Sequence, residues 1–242
     1  MRYLFLIMST LRDPWLSLNE NAKSTWLNHV DRNNSKYFYC FGREEFTKID
    51  YLRDLAFSKG ILFPCNEFSE QRMATFSSSD EIRVDLADRW GSMLAKFAEA
   101  SKLLFDTLDF DFLVRLGPST FVNINALEKC LDSGNDYCGA NVKSKNFASG
   151  WGSIFSREAI KAIVQYDQRY ARAYAKKYDD EAIGDMMRNL GFYFNPCPSA
   201  IFTPARQEEN LQEAVFIRAK AVGQRLKTEM SYFKQLEQII YS

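Results

Sequence analysis

Histidine is almost missing from this chain: among 242 residues there is one, His29. That excludes a His-based metal site and most Ser–His or Cys–His nucleophile machinery. Cysteine is sparse and odd in number. Cys40, Cys65, Cys130, Cys138 and Cys197 are widely spaced, form no Cys-x-x-Cys, and mostly sit in apolar segments. This is the pattern of buried, reduced thiols and not of a disulfide framework. Charge of either sign in excess is absent as well. Lys+Arg and Asp+Glu both count 31, so the formal net charge is zero, and no nucleic-acid partner is expected. No apolar run approaches the roughly 18 residues of a membrane span. The first one, Tyr3–Met8, is short and is followed at once by Ser9, Thr10, Arg12 and Asp13. It suits neither a signal segment nor a transmembrane helix, so a cytoplasmic protein is the expectation. The phosphate-cradling glycine loops GxxxxGK[ST] and GxGxxG do not occur, and neither do short repeats or low-complexity tracts.

What is present is a large apolar stock, 46% hydrophobic with 15% aromatic, enough for one sizeable domain or a domain with an appendage. Strand patterns at 3–9, 36–41, 81–86, 111–116, 136–142 and 151–155 alternate with helical periodicity. The helical stretches are 18–30, 44–58, 90–107, 123–133, 157–176, 180–190 and 208–240. That rhythm predicts an α/β fold, a mostly parallel sheet flanked by helices. Ligands of such sheets sit at the carboxyl ends of the strands. The polar strand ends Ser9-Thr10, Gly42-Arg43 and Arg115–Ser119 are therefore the places to look. Residues 66–80 read as a polar loop. Residues 195–206, with Pro196, Pro198 and Pro204, read as an irregular crossing. From 208 to 240 an apolar stripe (Leu211, Val215, Ala219, Val222, Leu226, Met230, Phe233, Leu236, Ile240) recurs every three or four residues. It predicts one long C-terminal helix that packs on the body, seams a homodimer or touches a membrane surface. The domain division is 1–205 for the α/β unit and 206–242 for a helical extension.

The chemistry-bearing residues are distributed. They are Thr25-Trp26, Lys96 in the helix after the third strand, Thr120-Phe121-Val122-Asn123, Gly150-Trp151-Gly152 followed by Ser156-Arg157, and Asp179-Asp180 followed by Gly184 and Leu190-Gly191. In order and spacing this series resembles the fringe and β-1,3-galactosyltransferase group, glycosyltransferase family 31, over residues 3 to 194. The resemblance implies the GT-A fold, a nucleotide-sugar donor, UDP-linked, and transfer with inversion to a glycan or lipid-linked acceptor. It further implies Asp180 as the catalytic base, which takes the proton of the acceptor hydroxyl.

One departure stands out. Where the family carries Asp-x-Asp, whose carboxylates hold Mn²⁺ against the diphosphate, this chain reads Gly117-Pro118-Ser119, and the family's late metal-binding histidine has no counterpart. Mn²⁺ or Mg²⁺ is thus not expected through that motif, and no metal ligand is assigned. Fixed cations and N–H donors can replace part of the metal's work. Arg115 with its bidentate fork, Gly117, and the Ser119 and Thr120 N–H groups at the expected start of the helix near 123 are the diphosphate candidates, joined by Arg12 and Lys96. Thr10 falls near the nucleotide. Gly150, Trp151 and Gly152 offer an aromatic wall beside bare backbone for a sugar ring, and Asp179 and Glu181 can bind sugar hydroxyls. The bland counterparts are a structural ion pair for Arg115, an ordinary turn and helix cap for Gly-Pro-Ser, a helix N-cap for Asp180 and a core tryptophan for Trp151. Besides a metal-independent glycosyltransferase, two readings stay open: a catalytically inactive GT-A-like module that binds glycan or protein, and another α/β nucleotide-binding enzyme.

Overall fold

The computed structural model describes residues 1–45, 74–88, 92–141, 145–166, 179–203, 210–219, 221 and 225–242. The chain opens with β1 (Tyr3–Met8), α1 (Trp15–Lys23), a 3-10 turn at Trp26–His29, and β2 (Ser35–Arg43). An antiparallel pair, β3 (Ala74–Ser78) and β4 (Glu81–Ala87), leads to α2 (Met93–Thr107) and β5 (Phe112–Leu116). Then come β6 (Thr120–Val122), α3 (Ile124–Leu131), β7 (Tyr137–Ala140), β8 (Gly152–Ser156), α4 (Arg157–Gln165) and α5 (Asp179–Asn189). The chain closes with β9 (Asn195–Cys197), β10 (Ser199–Phe202), β11 (Phe216–Ala219) and α6 (Arg225–Tyr241). Eight strands form one sheet in the order β3-β4-β2-β1-β5-β8-β7-β9, and β10-β11-β6 form a smaller one.

The central strand is β1, hydrogen-bonded in parallel to β2 on one side and β5 on the other. Its six residues are all buried, as a strand covered on both faces must be. Alternation divides them. Tyr3, Phe5 and Ile7 face a core with Trp26, Phe121, Leu127, Phe216 and Phe233. Leu4, Leu6 and Met8 face a second core with Phe97, Leu104, Phe155, Ile160 and Met187. The sheet is thus sandwiched between α1, α3 and α6 on one face and α2, α4 and α5 on the other. Beyond β5 it turns mixed, since β8 runs antiparallel to both β5 and β7. The chain leaves β1 for β2 in one direction and returns to β5 on the other side. The carboxyl ends of β1 and β5 are therefore the topological switch point, where ligands of open α/β sheets bind.

The strand ranges read from sequence match β1, β2, β4, β5, β7 and β8 within two residues. The helix expected at 44–58 lies outside the described residues, apart from its first two. The polar run 66–80 ends in strand β3, an edge strand whose Thr75, Phe76, Ser77 and Ser78 are exposed. The proline-rich crossing contains β9 and β10. Pro196 is tolerated because β9 is the edge of its sheet.

The largest correction concerns 208–240. It is not one helix: Phe216–Ala219 is strand β11, parallel to β10 and antiparallel to β6, and the helix begins only at Arg225. Leu211, Val215 and Ala219 are buried through this strand segment. The short run Val215–Ala219 carries apolar residues at helical spacing but is buried on both faces, which periodicity alone cannot tell from a helix. The stripe that does lie on α6 is turned inward. Phe233 and Leu236 are fully buried, and Phe233 meets Phe121 edge-on with 5.8 Å between ring centroids. Of the three roles expected for the apolar stripe, α6 shows packing on the body, through Phe233, Leu236 and Ile240. Among the described residues no helix is long and apolar enough to cross a membrane.

Candidate functional site at the strand carboxyl ends

β5 ends in a tight turn. The Thr120 N–H donates to the Gly117 carbonyl at 3.2 Å, with Pro118 at the position whose fixed φ presets such a turn. Thr120 then enters β6 and its hydroxyl donates to the Trp151 carbonyl at 2.8 Å. Ser119 is buried, its carbonyl accepting from the Ala219 N–H. This corrects the expected anion site. The Ser119 and Thr120 N–H groups do not lie at a helix start. The helix begins at Ile124, its Ala126 N–H is capped by the Asn123 side chain at 3.2 Å, and the Ile124 N–H donates to the Tyr241 hydroxyl at 2.9 Å. The N-terminus of α3 is occupied by the chain itself.

Arg115, on β5, points to the α2/α5 face in register with Leu6 and Ser153. Its side chain is buried and Nη2 donates to Asp179 Oδ2 in the first turn of α5. The guanidinium carbon stands 5.4 Å from the Phe97 ring centroid. Among the described residues no acceptor reaches its Nε or Nη1. Asp180 lies next to this pair. Its Oδ2 accepts from the Gly150 N–H at 3.2 Å and its Oδ1 from the Glu181 N–H at 2.9 Å. Gly150 in turn approaches Gly117: a Cβ added to Gly117 would stand 3.8 Å from the Gly150 carbonyl oxygen. The acidic turn of α5 is thereby docked on the end of β5 by one ion pair and one backbone hydrogen bond. Two backbone donors fix the Asp180 carboxylate, which stays partly exposed. Glu181 is also partly exposed, on the same turn.

A second ion pair sits at the ends of β1 and β4. Lys96, in α2, is buried and donates to the Ser9 carbonyl at 2.8 Å and to Asp88 Oδ1 at 2.5 Å. Asp88 Oδ2 is buried with no donor among the described residues. The motif reading of the sequence passes over Asp88. A signal exists: an acidic residue directly after a strand of alternating burial, eight positions before Lys96. The close approach of this turn to β2 also explains Gly42, where a Cβ would lie 2.5 Å from the Leu86 carbonyl oxygen. Thr10 follows Ser9 and its hydroxyl accepts from the Arg12 N–H at 3.2 Å. Arg12 is exposed and donates to the Glu44 carbonyl, so the structure does not gather it with Arg115 or Lys96.

The Gly150-Trp151-Gly152 segment corrects another expectation. Trp151 is only 9% exposed, with the Arg218 guanidinium 5.3 Å from the ring centroid. Gly152 is roofed by Phe216: a Cβ there would meet the Phe216 ring at 2.2 Å. The segment packs against the core, and Gly150 alone of the three presents its backbone to the acidic turn. Gly184 likewise lets α5 press on Phe147, whose Cβ would be 2.2 Å from an added methyl.

The Gly117-Pro118-Ser119 turn brings no carboxylate to the strand end. The nearby carboxylates, Asp179 and Asp180, are held by Arg115 and by backbone N–H groups. Among the described residues, the one set of three or more metal-ligating side chains within reach of a common ion is a cysteine trio elsewhere. Among the described residues, the strand ends thus gather no group of carboxylates around a common point, and Asp179 and Asp180 are engaged by Arg115 and by backbone N–H groups.

Comparison with protein-family models and with curated proteins finds no match. Solved structures do match. A glycosyltransferase involved in glycosylation of the major capsid of PBCV-1 is 7% identical, aligns over 97% of this chain and 100% of its own, and superposes with TM-score 0.55. An active-site mutant of LgtC is 9% identical over 100% of this chain and 97% of its own, with TM-score 0.50. The fold is GT-A-like: a mostly parallel sheet between two helical layers, closed by a C-terminal helix.

Proposed function

We propose that the chain is a glycosyltransferase that moves a sugar from a nucleotide-sugar donor, UDP-linked, to a glycan or lipid-linked acceptor with inversion, without a metal held at Gly117–Ser119. The observation that carries this reading is the acidic first turn of α5, pinned by Arg115 and Gly150 against the switch point of a GT-A-like sheet. Asp180 acts as base. Its two backbone donors fix the carboxylate and leave lone pairs for the acceptor hydroxyl, whose proton it takes as the hydroxyl oxygen attacks the anomeric carbon. The bond to the diphosphate breaks on the opposite side.

The nucleotide lies across the ends of β1 and β4. There Oδ2 of Asp88, with no donor among the described residues, is an acceptor for a base N–H, and Thr10 lines the rim. The diphosphate lies over the Gly117–Ser119 turn, where Arg115 has two donor nitrogens with no acceptor among the described residues and contributes positive potential. Asp179 and Glu181 flank the acceptor. The motif likeness to the fringe group supports the same assignment of Asp180.

The decisive experiment is donor turnover and transfer across a panel of nucleotide sugars, with EDTA and with Mn²⁺, for the native chain and Asp180→Asn. Turnover should survive EDTA and fall by about 10²–10⁴-fold in the variant, the usual worth of a general base, while donor affinity by calorimetry stays the same. Absence of binding to every nucleotide sugar sinks the proposal. Turnover that requires Mn²⁺ sinks its metal-free part. A second reading, an inactive module, is favoured by one observation: both buried cations at the strand ends are already paired with carboxylates. Donor binding without turnover would select it.

A further inference from the structure

The cysteine trio lies on the sheet face opposite Arg115. Cys138 is on β7 and Cys197 on the edge strand β9. Because Ala140 pairs with Cys197, Cys138 is its diagonal neighbour on the same face. Cys130 comes down onto that face from α3. The three sulfurs all lie within 4.8 Å of one another, Cys130 and Cys197 at 2.8 Å. Cys138 and Cys197 are buried and Cys130 is partly exposed. Three residues far apart in sequence, from three different elements, thus converge on one point.

We propose that Cys130, Cys138 and Cys197 form a binding site for a thiophilic d10 cation, Zn²⁺, that clasps α3 to the β7–β9 edge of the sheet. The donor set decides the class of ion. Three sulfurs with no oxygen or imidazole among them reject Mg²⁺ and Ca²⁺ and select soft or borderline metals. The chain's one histidine is engaged elsewhere, stacked on Tyr241 and 3.1 Å from Glu237. Zn–S bonds of about 2.3 Å at tetrahedral angles put sulfurs about 3.8 Å apart, so the trio needs shifts of only about an ångström to accept the ion. Binding is proton exchange without redox change: three S–Zn bonds form, the three S–H bonds break, and their protons pass to solvent. The exposed side at Cys130 admits the ion and a water as fourth ligand.

A disulfide between Cys130 and Cys197 would leave the third sulfur without a part to play.

The test uses the full chain, reduced and handled without oxygen, with free thiols counted first. Zn²⁺ titrated against a chromophoric chelator should load one ion per chain, and Co²⁺ in its place should give a thiolate-to-cobalt charge-transfer band. Cys130→Ser, at the partly exposed position, should weaken Zn²⁺ by more than about 100-fold, since outer-shell changes alone cost about 10–100-fold. Cys138→Ala should do the same. Cys40→Ala, buried on the opposite face, should leave affinity unchanged. Circular dichroism checks that each variant folds. The proposal is overturned if the reduced native chain takes up no Zn²⁺, or if Cys40→Ala weakens it as much as Cys130→Ser. It is also overturned if the isolated protein carries a Cys130–Cys197 disulfide and its reduced form binds no metal.

Discussion

Two regions on opposite faces of the central sheet bury polarity in different ways. At the strand carboxyl ends, on the α2/α5 face, it is ionic. Lys96 meets Asp88 and Arg115 meets Asp179, with side-chain exposures of 1%, 7%, 3% and 11%. Among the described residues both pairs are incompletely satisfied: one Asp88 oxygen has no donor, and two Arg115 nitrogens have no acceptor. At the β7–β9 edge, under α3, polarity is carried by sulfur, and the trio of thiols sits in an apolar and aromatic core. The difference teaches where to look for chemistry. Paired charges with spare hydrogen-bonding capacity are costly to bury, which marks the strand ends as a candidate site. Thiols behave as small hydrophobes until a metal arrives. The spare groups of the ionic region are also complementary in kind, an acceptor at the β1/β4 end and donors at the β5 end. A nucleotide sugar, with N–H groups on its base and anionic oxygens on its diphosphate, has the matching polarity.

The comparison can be broken most sharply by deleting one charge from the ionic region. Arg115→Met leaves Asp179 almost buried without its cation. The expected loss is about 3–5 kcal/mol of unfolding free energy, read by urea denaturation. Cys138→Ala in metal-free, reduced protein removes one small apolar group and should cost about 1 kcal/mol. Equal losses would show that Arg115–Asp179 is not the distinctive cost of that region. A third variant separates structure from function. Asp180→Asn keeps the shape of the side chain and one of its two acceptor oxygens, so it should change turnover far more than stability.

Much of this architecture was legible in the sequence, and the limits have physical causes. The strands around β1 were visible because a run such as Tyr3–Met8 is apolar on both faces, as an interior parallel strand is, and Phe112–Leu116 departs from this only at Arg115. Asp179-Asp180 was visible because an acidic pair opening a helix is a local pattern. β11 was not, because Phe216–Ala219 continues the three-to-four-residue spacing of the helix behind it, and only its pairing with β10 and β6 fixes it as a strand. The inward turn of Gly152 was not, because its neighbour across the fold, Phe216, is far away in the chain. The occupation of the α3 N-terminus by Tyr241 was hidden for the same reason, and it removed the anion site expected there. The meeting of Cys130, Cys138 and Cys197 depends on the β7–β9 register, which no spacing in the sequence announces.

A smaller effect tests the contact between Gly152 and Phe216. Gly152→Ala drives a methyl into the Phe216 ring, which is wholly buried and cannot swing away. Overpacking of this kind costs about 1–3 kcal/mol. Because Gly152 lies on the β8 strand that pairs with β5, the shift should also lower turnover, by moving Gly150 off Asp180. A loss of stability with turnover intact would show that the acidic turn is held by Arg115–Asp179 alone.

The smallest expected effect is at Arg12. It is exposed, and its side chain donates to the Glu44 carbonyl and to neither buried pair. Arg12→Ala should change stability by no more than about 0.5 kcal/mol, as surface substitutions away from structural features do. Its effect on the donor Kd then decides how far the ionic region extends. If the donor site ends at Thr10 and Asp88, the donor Kd of Arg12→Ala equals that of the native chain at all salt concentrations. If Arg12 folds over the bound diphosphate, affinity falls, and the fall shrinks as salt screens an exposed charge. The second outcome would place a diphosphate cation at the rim, where no buried carboxylate neutralises it. Arg115 would then be left a purely architectural role.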